Sequence, residues 1–429
     1  MSSALFMEQG TGKTLVTIAF FQYLLETYGL DRYIIVCPLS VIDVWETQLK
    51  KHWEDPPPTY IITGKSIHIQ TGPGVFLINY EKALKAKPWL PLRKFDVAVV
   101  DESHRIKNSN SKQSKVVAKL TAPIRMILTG TPIGNNPIDL FAQFRFLDPT
   151  AFGTAVKPFR NKFCRTAGFM GFKWKIRPQE LGSFMRIVNR YAFRVSNKVL
   201  GLPPEIPMTR YFTLNRQEEY AYTEIVNEMI LSSQNFTVTT PLVVTQLMKL
   251  RQITGGFVKD DEGANQRLGD SKLRVLEDYL KNDLPEPDEP FVVFCVFRQE
   301  VEDICAVLKR LKIKHGVIQG GVEPSERARL TRELGKSVQA AVCQISSGGV
   351  GIDLTGAAIS IFYSTDFSFI NYYQARARVY RHGQMKKVIN LHLIAKKTID
   401  EDCHEALLDK ADVARRALSY LRKEIKRYG

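Results

Sequence analysis

The loop Gly10-Thr11-Gly12-Lys13-Thr14 follows a short apolar stretch and opens a helical pattern. Glycine N–H groups at a helix N-terminus can cradle phosphates, a lysine there reaches the β- and γ-phosphates, and the next hydroxyl can hold Mg2+. Those residue types assign Gly10, Thr11, Gly12, Lys13 and Thr14 to a nucleoside triphosphate, with Lys13 also acting in catalysis. The strict spacing asks for glycine where Met7 stands. A second group closes the run Phe95-Asp96-Val97-Ala98-Val99-Val100-Asp101-Glu102-Ser103-His104. Two adjacent carboxylates at a strand end let Asp101 organise Mg2+, with Thr14, while Glu102 orients an attacking water. An acidic pair after a strand is often only a helix N-cap; the glycine loop upstream makes the catalytic reading the stronger one. A third group runs from Gln374 to Gln384 and carries Arg376, Arg378 and Arg381. Arginines three apart share a helix face, and two of them aimed at a γ-phosphate would accelerate transfer by about 10³ to 10⁵. The alternative there is a surface arginine run.

Residues of these kinds need strand ends to hold them. Buried-strand runs occur at Tyr33 to Cys37, Val75 to Ile78, Val97 to Val100 and Ile124 to Leu128, with helical stretches at Lys13 to Thr27 and Val41 to His52. The alternation predicts an α/β unit with a mostly parallel sheet and ligands at the carboxyl ends of its strands. The pattern returns after Asp270, with a helix over Lys272 to Leu280, a strand over Phe291 to Phe297, a helix to Leu311, and strands at Ala340 to Cys343, Ile359 to Tyr363 and Val388 to Leu393. Residues 216 to 253 read as helices, apart from a β-branched patch around Val238 to Thr240. The end of the chain is amphipathic from Ile399 to Ile425, with Thr398 and Glu401 placed as a capping box. It reads as a brace helix.

At 429 residues the chain is long enough for two or three compact units. Its composition is that of a globular protein, and no apolar run reaches the ~20 residues that span a bilayer. The N-terminus lacks the pattern of a secretion signal. Six cysteines without a CxxC pair, three of them inside apolar strand-like runs, fit a reducing compartment and no structural zinc. The charge is unusual. Sixty Lys and Arg against 44 Asp and Glu leave +16, an excess that points to a polyanionic partner. Residues 151 to 199 hold eleven Lys or Arg and the single acid Glu180, with aromatics between them. Those aromatics fit either a nucleic-acid-facing surface or a helical core. From Arg376 to Lys397 there are seven more cations and no acid.

Taken in order, these segments resemble the helicase-type ATPases of superfamily two, in the Swi/Snf branch. Gly10 to Thr14 is similar to motif I, Ile35 to Trp45 to motif Ia, Asn79-Tyr80-Glu81 to a later lobe-1 DNA motif, and Asp101 to His104 to motif II. Leu128 to Pro132 with Asn136 and Phe146 to Pro149 resembles motif III and its extension. Val199 to Pro204 resembles the exit from the first lobe, Val293 to Arg298 motif IV, Ser347 to Leu354 motif V, and Gln374 to Gln384 motif VI. The GTPIGN stretch and the RHGQ ending are the branch-specific parts.

The resemblance implies an α/β fold of two RecA-like lobes, helical protrusions between them and a long C-terminal brace helix. It implies lobe 1 over 1–204 with a basic protrusion at about 151–199, a linker and second protrusion over 205–268, and lobe 2 over 269–429 with the C-terminal helix from about 399. It implies ATP and Mg2+ as cofactors, hydrolysis in a cleft between the lobes, and movement along double-stranded DNA without obligatory strand separation. By carry-over Arg378 and Arg381 complete the ATP site, Gly351, Asp353 and Gln374 help bind the nucleotide, and Ser40, Asn79, Tyr80, Arg298, Lys173, Lys175 and Arg194 contact nucleic acid. Only nine residues precede Gly10, where the family carries an adenine-contacting Gln motif, and Gln344-Ile345-Ser346 replaces the usual Thr and basic residue of motif V. The expected protein is a compact bacterial or viral monomer, cytoplasmic, or nuclear if eukaryotic, without membrane contact. Beside DNA, a protein partner or a displaced DNA-bound protein is left unidentified by the sequence. The rival readings are a catalytically weak DNA-binding regulatory module and a strand-separating helicase or RNA-stimulated ATPase.

Overall fold

The computed structural model describes all residues except 1, 63–71, 87–89, 91–93, 133–136, 168–172, 235–239, 261, 346–351, 367 and 409–429. The chain divides into two compact units, Met1–Gly201 and Leu202–Gly429. The first contains β1 (Ser2–Met7), β2 (Arg32–Cys37), β3 (Thr59–Ile62), β4 (Gly74–Asn79), β5 (Val97–Asp101), β6 (Ile124–Leu128), β7 (Cys164–Ala167), β8 (Lys173–Ile176) and β9 (Ala192–Val195). Seven of these form one sheet in the order β3-β4-β2-β5-β6-β1-β9, parallel throughout. Parallel strands are buried on both faces and so read as continuous apolar runs. Accordingly β2, β4 and β5 are buried almost end to end. One face packs on Ile18, Phe21, Trp45 and Leu49 from the helices Lys13–Tyr28 and Ile42–His52. The other packs on Phe141, Phe144, Phe159, Phe163 and Phe184.

The second unit contains β10 (Glu205–Phe212), β11 (Phe257–Lys259), β12 (Asn265–Arg267), β13 (Phe291–Cys295), β14 (His315–Ile318), β15 (Ala340–Gln344), β16 (Ile359–Phe362) and β17 (Val388–Ala395). Its sheet runs β10-β17-β16-β13-β15-β14, again all parallel, while β11 and β12 form a small antiparallel pair. Helices Arg298–Arg310 and Ser271–Asn282 cover one face with Leu276, Tyr279, Ile304 and Leu308.

Two stretches depart from the sequence expectation. Residues 205–212, expected within a linker, form the edge strand β10 and register with Val388–Ala395. Pro203, Pro204 and Pro207 hide this strand in the sequence; an edge position tolerates Pro207 because its outer side needs no donor. Residues 151–199, expected as a helical protrusion, contain the antiparallel β7–β8 ribbon, and β9 adds in parallel to β1. Of the aromatics there, Phe159, Phe163 and Phe184 are core residues in mutual ring contact. The helix expected from Ile399 is observed as Ile399–Leu408, with the Thr398 hydroxyl accepting from the Asp400 N–H at 3.2 Å; its continuation, and the Val238 to Thr239 patch, lie outside the described residues.

Candidate functional site

Strand order brings three loops together. β6 lies between β1 and β5, with Leu128 registered against both Leu5 and Asp101. The carboxyl ends of three adjacent strands therefore present Gly10 to Thr14, Thr129 with Gly130, and Asp101 with Glu102 on one rim. Gly10 and Gly12 adopt φ 79° and 89°, a left-handed conformation that glycine takes without steric cost. The turn is fastened by the Thr11 hydroxyl donating to the Glu8 carbonyl at 2.7 Å, and Glu8 accepts from the Asn197 N–H at 2.8 Å. Lys13, at the start of a helix with no side-chain cap, donates to the carbonyls of Met7 and Glu8 at 2.9 and 3.2 Å. Thr14 follows it, half-buried.

Asp101 is buried. Its Oδ2 accepts from the Trp45 indole at 2.9 Å and its Oδ1 from the Glu102 N–H at 2.8 Å. Burial first, then the neighbouring Glu102 charge, pushes its carboxyl up to about 6, against the pull of Trp45 and Lys13. Glu102 sits at φ 49°, ψ 51°, a left-handed conformation uncommon for residues other than glycine. This turn sends its carboxylate back to His104 Nδ1 at 3.3 Å, and the same nitrogen lies 3.4 Å from the Thr129 hydroxyl. Thr129 in turn accepts from the Thr131 N–H at 3.1 Å. Ser103 donates to Gln143 Oε1 at 2.7 Å, and the Gln143 amide donates to the Pro132 and Asp139 carbonyls. The acidic pair is thus tied by side chains to the loop after β6.

In the second unit the helix Phe369–Val379 carries Gln374 and Arg378, both buried, and Arg381 follows it. Arg378 donates to the Ile352 carbonyl at 3.4 Å, and Arg381 Nε lies 3.8 Å from Asp353 Oδ2. Asp353 Oδ1 is held by the N–H and hydroxyl of Thr355. Asp353, Arg378 and Arg381 therefore share one corner. Arg376 instead makes a forked pair with Glu205 on β10, at 2.9 and 3.0 Å, and is structural. Gln384 also anchors the corner, its amide donating to the Ala357 carbonyl at 2.8 Å. Gly351 lies outside the described residues.

Among the residues expected to face nucleic acid, Ser40, Arg298, Lys175 and Arg194 are exposed, and Lys173 lies on β8. Asn79 and Tyr80, expected there too, are instead buried. The Asn79 side chain caps the helix Tyr80–Lys85 by accepting from the Lys82 N–H at 2.7 Å. Tyr80 is fully buried, and its hydroxyl donates to the Asp101 carbonyl. Tyr80 thereby supports the acidic pair through its backbone. Trp45, His104 and Gln143 carried no separate signal in the sequence; only the ends of motifs Ia and II hinted at the first two.

Two parallel-sheet α/β lobes, with a glycine loop and an acidic pair on one and clustered arginines on the other, define the helicase-like ATPase core of Swi/Snf type. The chain belongs to the SNF2-related family: residues 1–256 match the SNF2-related domain, and residues 271–383 match the Helicase conserved C-terminal domain. It is similar to an uncharacterized ATP-dependent helicase of Mycoplasma genitalium, 26% identical, covering 96% of this chain and 40% of that protein. It is also similar to the transcription regulatory protein SNF2 of Saccharomyces cerevisiae, 26% identical, covering 95% of this chain and 26% of that protein. The chain thus spans two fifths or less of these relatives. A solved structure of the Sulfolobus solfataricus SWI2/SNF2 ATPase core in complex with dsDNA aligns at 25% identity with a TM-score of 0.44, over 95% of this chain and 86% of that one. Among the described residues no helix is long and apolar enough to cross a membrane.

Proposed function

We propose that this chain is a DNA-stimulated ATPase that translocates on double-stranded DNA without separating its strands. The observation that carries the reading is the convergence of Lys13, Asp101, Glu102 and His104 on the rim formed by β1, β6 and β5. The donor set fits ATP with Mg2+. Lys13 is held by two carbonyl oxygens, which phosphate oxygens can replace, and the space around the Gly12 Cα is open for a ligand to approach. Thr14 and Asp101 supply the hard oxygen donors that Mg2+ takes. Thr14 and Asp101 would hold the Mg2+, which would supply positive charge to the phosphates.

The chain's own residues do the rest. Lys13 holds the phosphates. Asp101, at about 6, is mostly ionised at neutral pH and so available to a cation. Glu102 orients the attacking water and accepts its proton, and His104 fixes the carboxylate in place. Duplex DNA as the track is supported by family membership and by the basic surface of residues 151–199.

The test compares ATP hydrolysis by the purified chain with Mg2+ and duplex DNA, single-stranded DNA or RNA. Duplex DNA should stimulate most, and a third strand should be displaced from a triplex while a forked duplex stays paired. Glu102→Gln should abolish hydrolysis and leave duplex binding intact. A folded protein that hydrolyses no ATP above background with duplex DNA overturns the proposal.

A further inference from the structure

Glu8 is the first residue after β1, where the strand gives way to the glycine loop. Met7 registers with Val195 on β9, and the Glu8 N–H continues that pairing by donating to the Val195 carbonyl at 2.9 Å. Its side chain reaches past the end of β9, where the carboxylate Oε2 accepts from the Asn197 N–H at 2.8 Å. Asn197 opens a short helical turn, Asn197–Leu200, whose preceding residue Ser196 supplies no side-chain cap. N–H groups at the start of such a turn have no partner within it. Glu8 provides one from the opposite end of the unit's sequence. The turn closes on Gly201, at φ 56°, the last residue of the first unit.

The same residue meets the nucleotide site. The Met7 carbonyl and the Glu8 N–H belong to one peptide group, whose oxygen accepts from the Lys13 ammonium at 2.9 Å while its N–H holds Val195. The Glu8 carbonyl accepts from Lys13 as well, at 3.2 Å, and from the Thr11 hydroxyl at 2.7 Å. Hydrogen bonds in a chain polarise one another, so an ammonium on the carbonyl strengthens the N–H of that peptide as a donor. Once Lys13 turns to phosphate, the support is withdrawn. The bond to Val195 weakens, and with it the position from which the Glu8 carboxylate holds Asn197.

We propose that Glu8 is a positioning residue that couples nucleotide binding at the glycine loop to the segment by which the chain leaves the first unit. The segment is held while Lys13 rests on the Met7 and Glu8 carbonyls, and it loosens when Lys13 engages phosphate. This rests on the nucleotide part of the proposed function and not on the DNA track. Coupling of this kind is reciprocal. A latch that nucleotide weakens must itself weaken nucleotide binding.

The test is amide hydrogen exchange over residues 194–201 of the full chain, with and without the β,γ-imido analogue of ATP and Mg2+, beside the affinity for that analogue by titration calorimetry. In the wild-type chain the analogue should speed exchange there by about fivefold. Glu8→Ala keeps both backbone groups and removes the carboxylate. Its exchange should be fast without the analogue and no longer respond to it, and the analogue should bind about fivefold tighter. Glu8→Gln keeps an oxygen that can accept from Asn197, and should restore most of the wild-type response. A purely structural role predicts that Glu8→Ala binds the analogue no more tightly than the wild type, and that outcome overturns the proposal. Wild-type exchange that the analogue leaves unchanged or slows also overturns it, and this arm needs no variant to fold. A wild-type chain that binds the analogue with unmoved exchange loses the coupling and keeps the ATP site; one that binds no analogue loses both.

Discussion

The Trp45 indole N–H donates to Oδ2 of Asp101 at 2.9 Å, in a setting where both residues are buried. Trp45 lies on the helix that follows β2, and Asp101 ends β5, so the bond ties motif Ia to motif II. It supplies one of the donors that hold a buried carboxylate ionised against the cost of its burial.

Replacing Trp45 with Phe removes that donor and keeps an aromatic ring in the core. A buried acceptor left without its partner costs about 1 to 3 kcal/mol, to which the lost ring volume adds. The expected outcome is a less stable chain whose ATP hydrolysis needs several times more Mg2+ for half-saturation. Urea unfolding and a Mg2+ titration of the hydrolysis rate check the two parts. An unchanged Mg2+ requirement would show that Asp101 is positioned by other groups.

Tyr80 supports the same residue from the backbone side. Tyr80→Phe deletes the hydroxyl that donates to the Asp101 carbonyl and should cost about 1 kcal/mol of stability. Duplex DNA affinity should not change, because the ring is fully buried. A fluorescence-anisotropy titration with labelled duplex decides it. Weakened binding at unchanged stability would restore Tyr80 to the nucleic-acid surface.

The second unit contains a buried ion pair with no motif to announce it. Lys272 is 1% exposed, and its ammonium lies 2.7 Å from Asp400 Oδ2 and about 6 Å from the ring centres of Phe212 and Tyr363. The Thr254 hydroxyl donates to the other Asp400 oxygen at 3.0 Å. Removing one partner leaves the other charge buried and uncompensated, so Lys272→Met should cost about 3 to 5 kcal/mol in urea unfolding. Adding Asp400→Leu should recover part of that loss. A double variant no more stable than the single one would show that the pair is not the unit that matters.

These residues mark where the sequence stops being legible. The central strands could be read because a parallel strand covered on both faces is written as an unbroken apolar run, as in Tyr33 to Cys37 and Phe291 to Cys295. β10 could not, since three prolines and a run of mixed polarity look like a linker until β17 pairs with it. The β7–β8 ribbon could not, because its apolar positions alternate with cations that also suit a helix surface. In the site, Gly10 to Thr14 form one run and Asp101 with Glu102 another, and each run carries its own spacing. Trp45, Tyr80 and Gln143 reach the acidic pair only through the order in which strands are laid down, and no local pattern encodes that order.

The last prediction concerns acid. His392, on β17, is buried against the Phe362 ring at 4.8 Å and the His404 ring at 4.5 Å, and its Nε2 lies 3.1 Å from the Tyr372 hydroxyl. Burial first, then repulsion from His404, lowers its pKa from 6.5 to about 3, and burial lowers His404 as well. In the unfolded chain both imidazoles protonate near 6.5, while the folded chain keeps His392 neutral down to about 3. The stability held by the neutral ring is therefore complete above pH 6.5 and is lost progressively as the pH falls from there toward 3. Unfolding temperature should drop between about pH 7.5 and pH 5. His392→Phe, which loses the Tyr372 contact, should start lower at pH 7.5 and fall less steeply, because it has no proton to take up on unfolding. Parallel curves for the two proteins would mean that His392 is not the group whose protonation destabilises the fold.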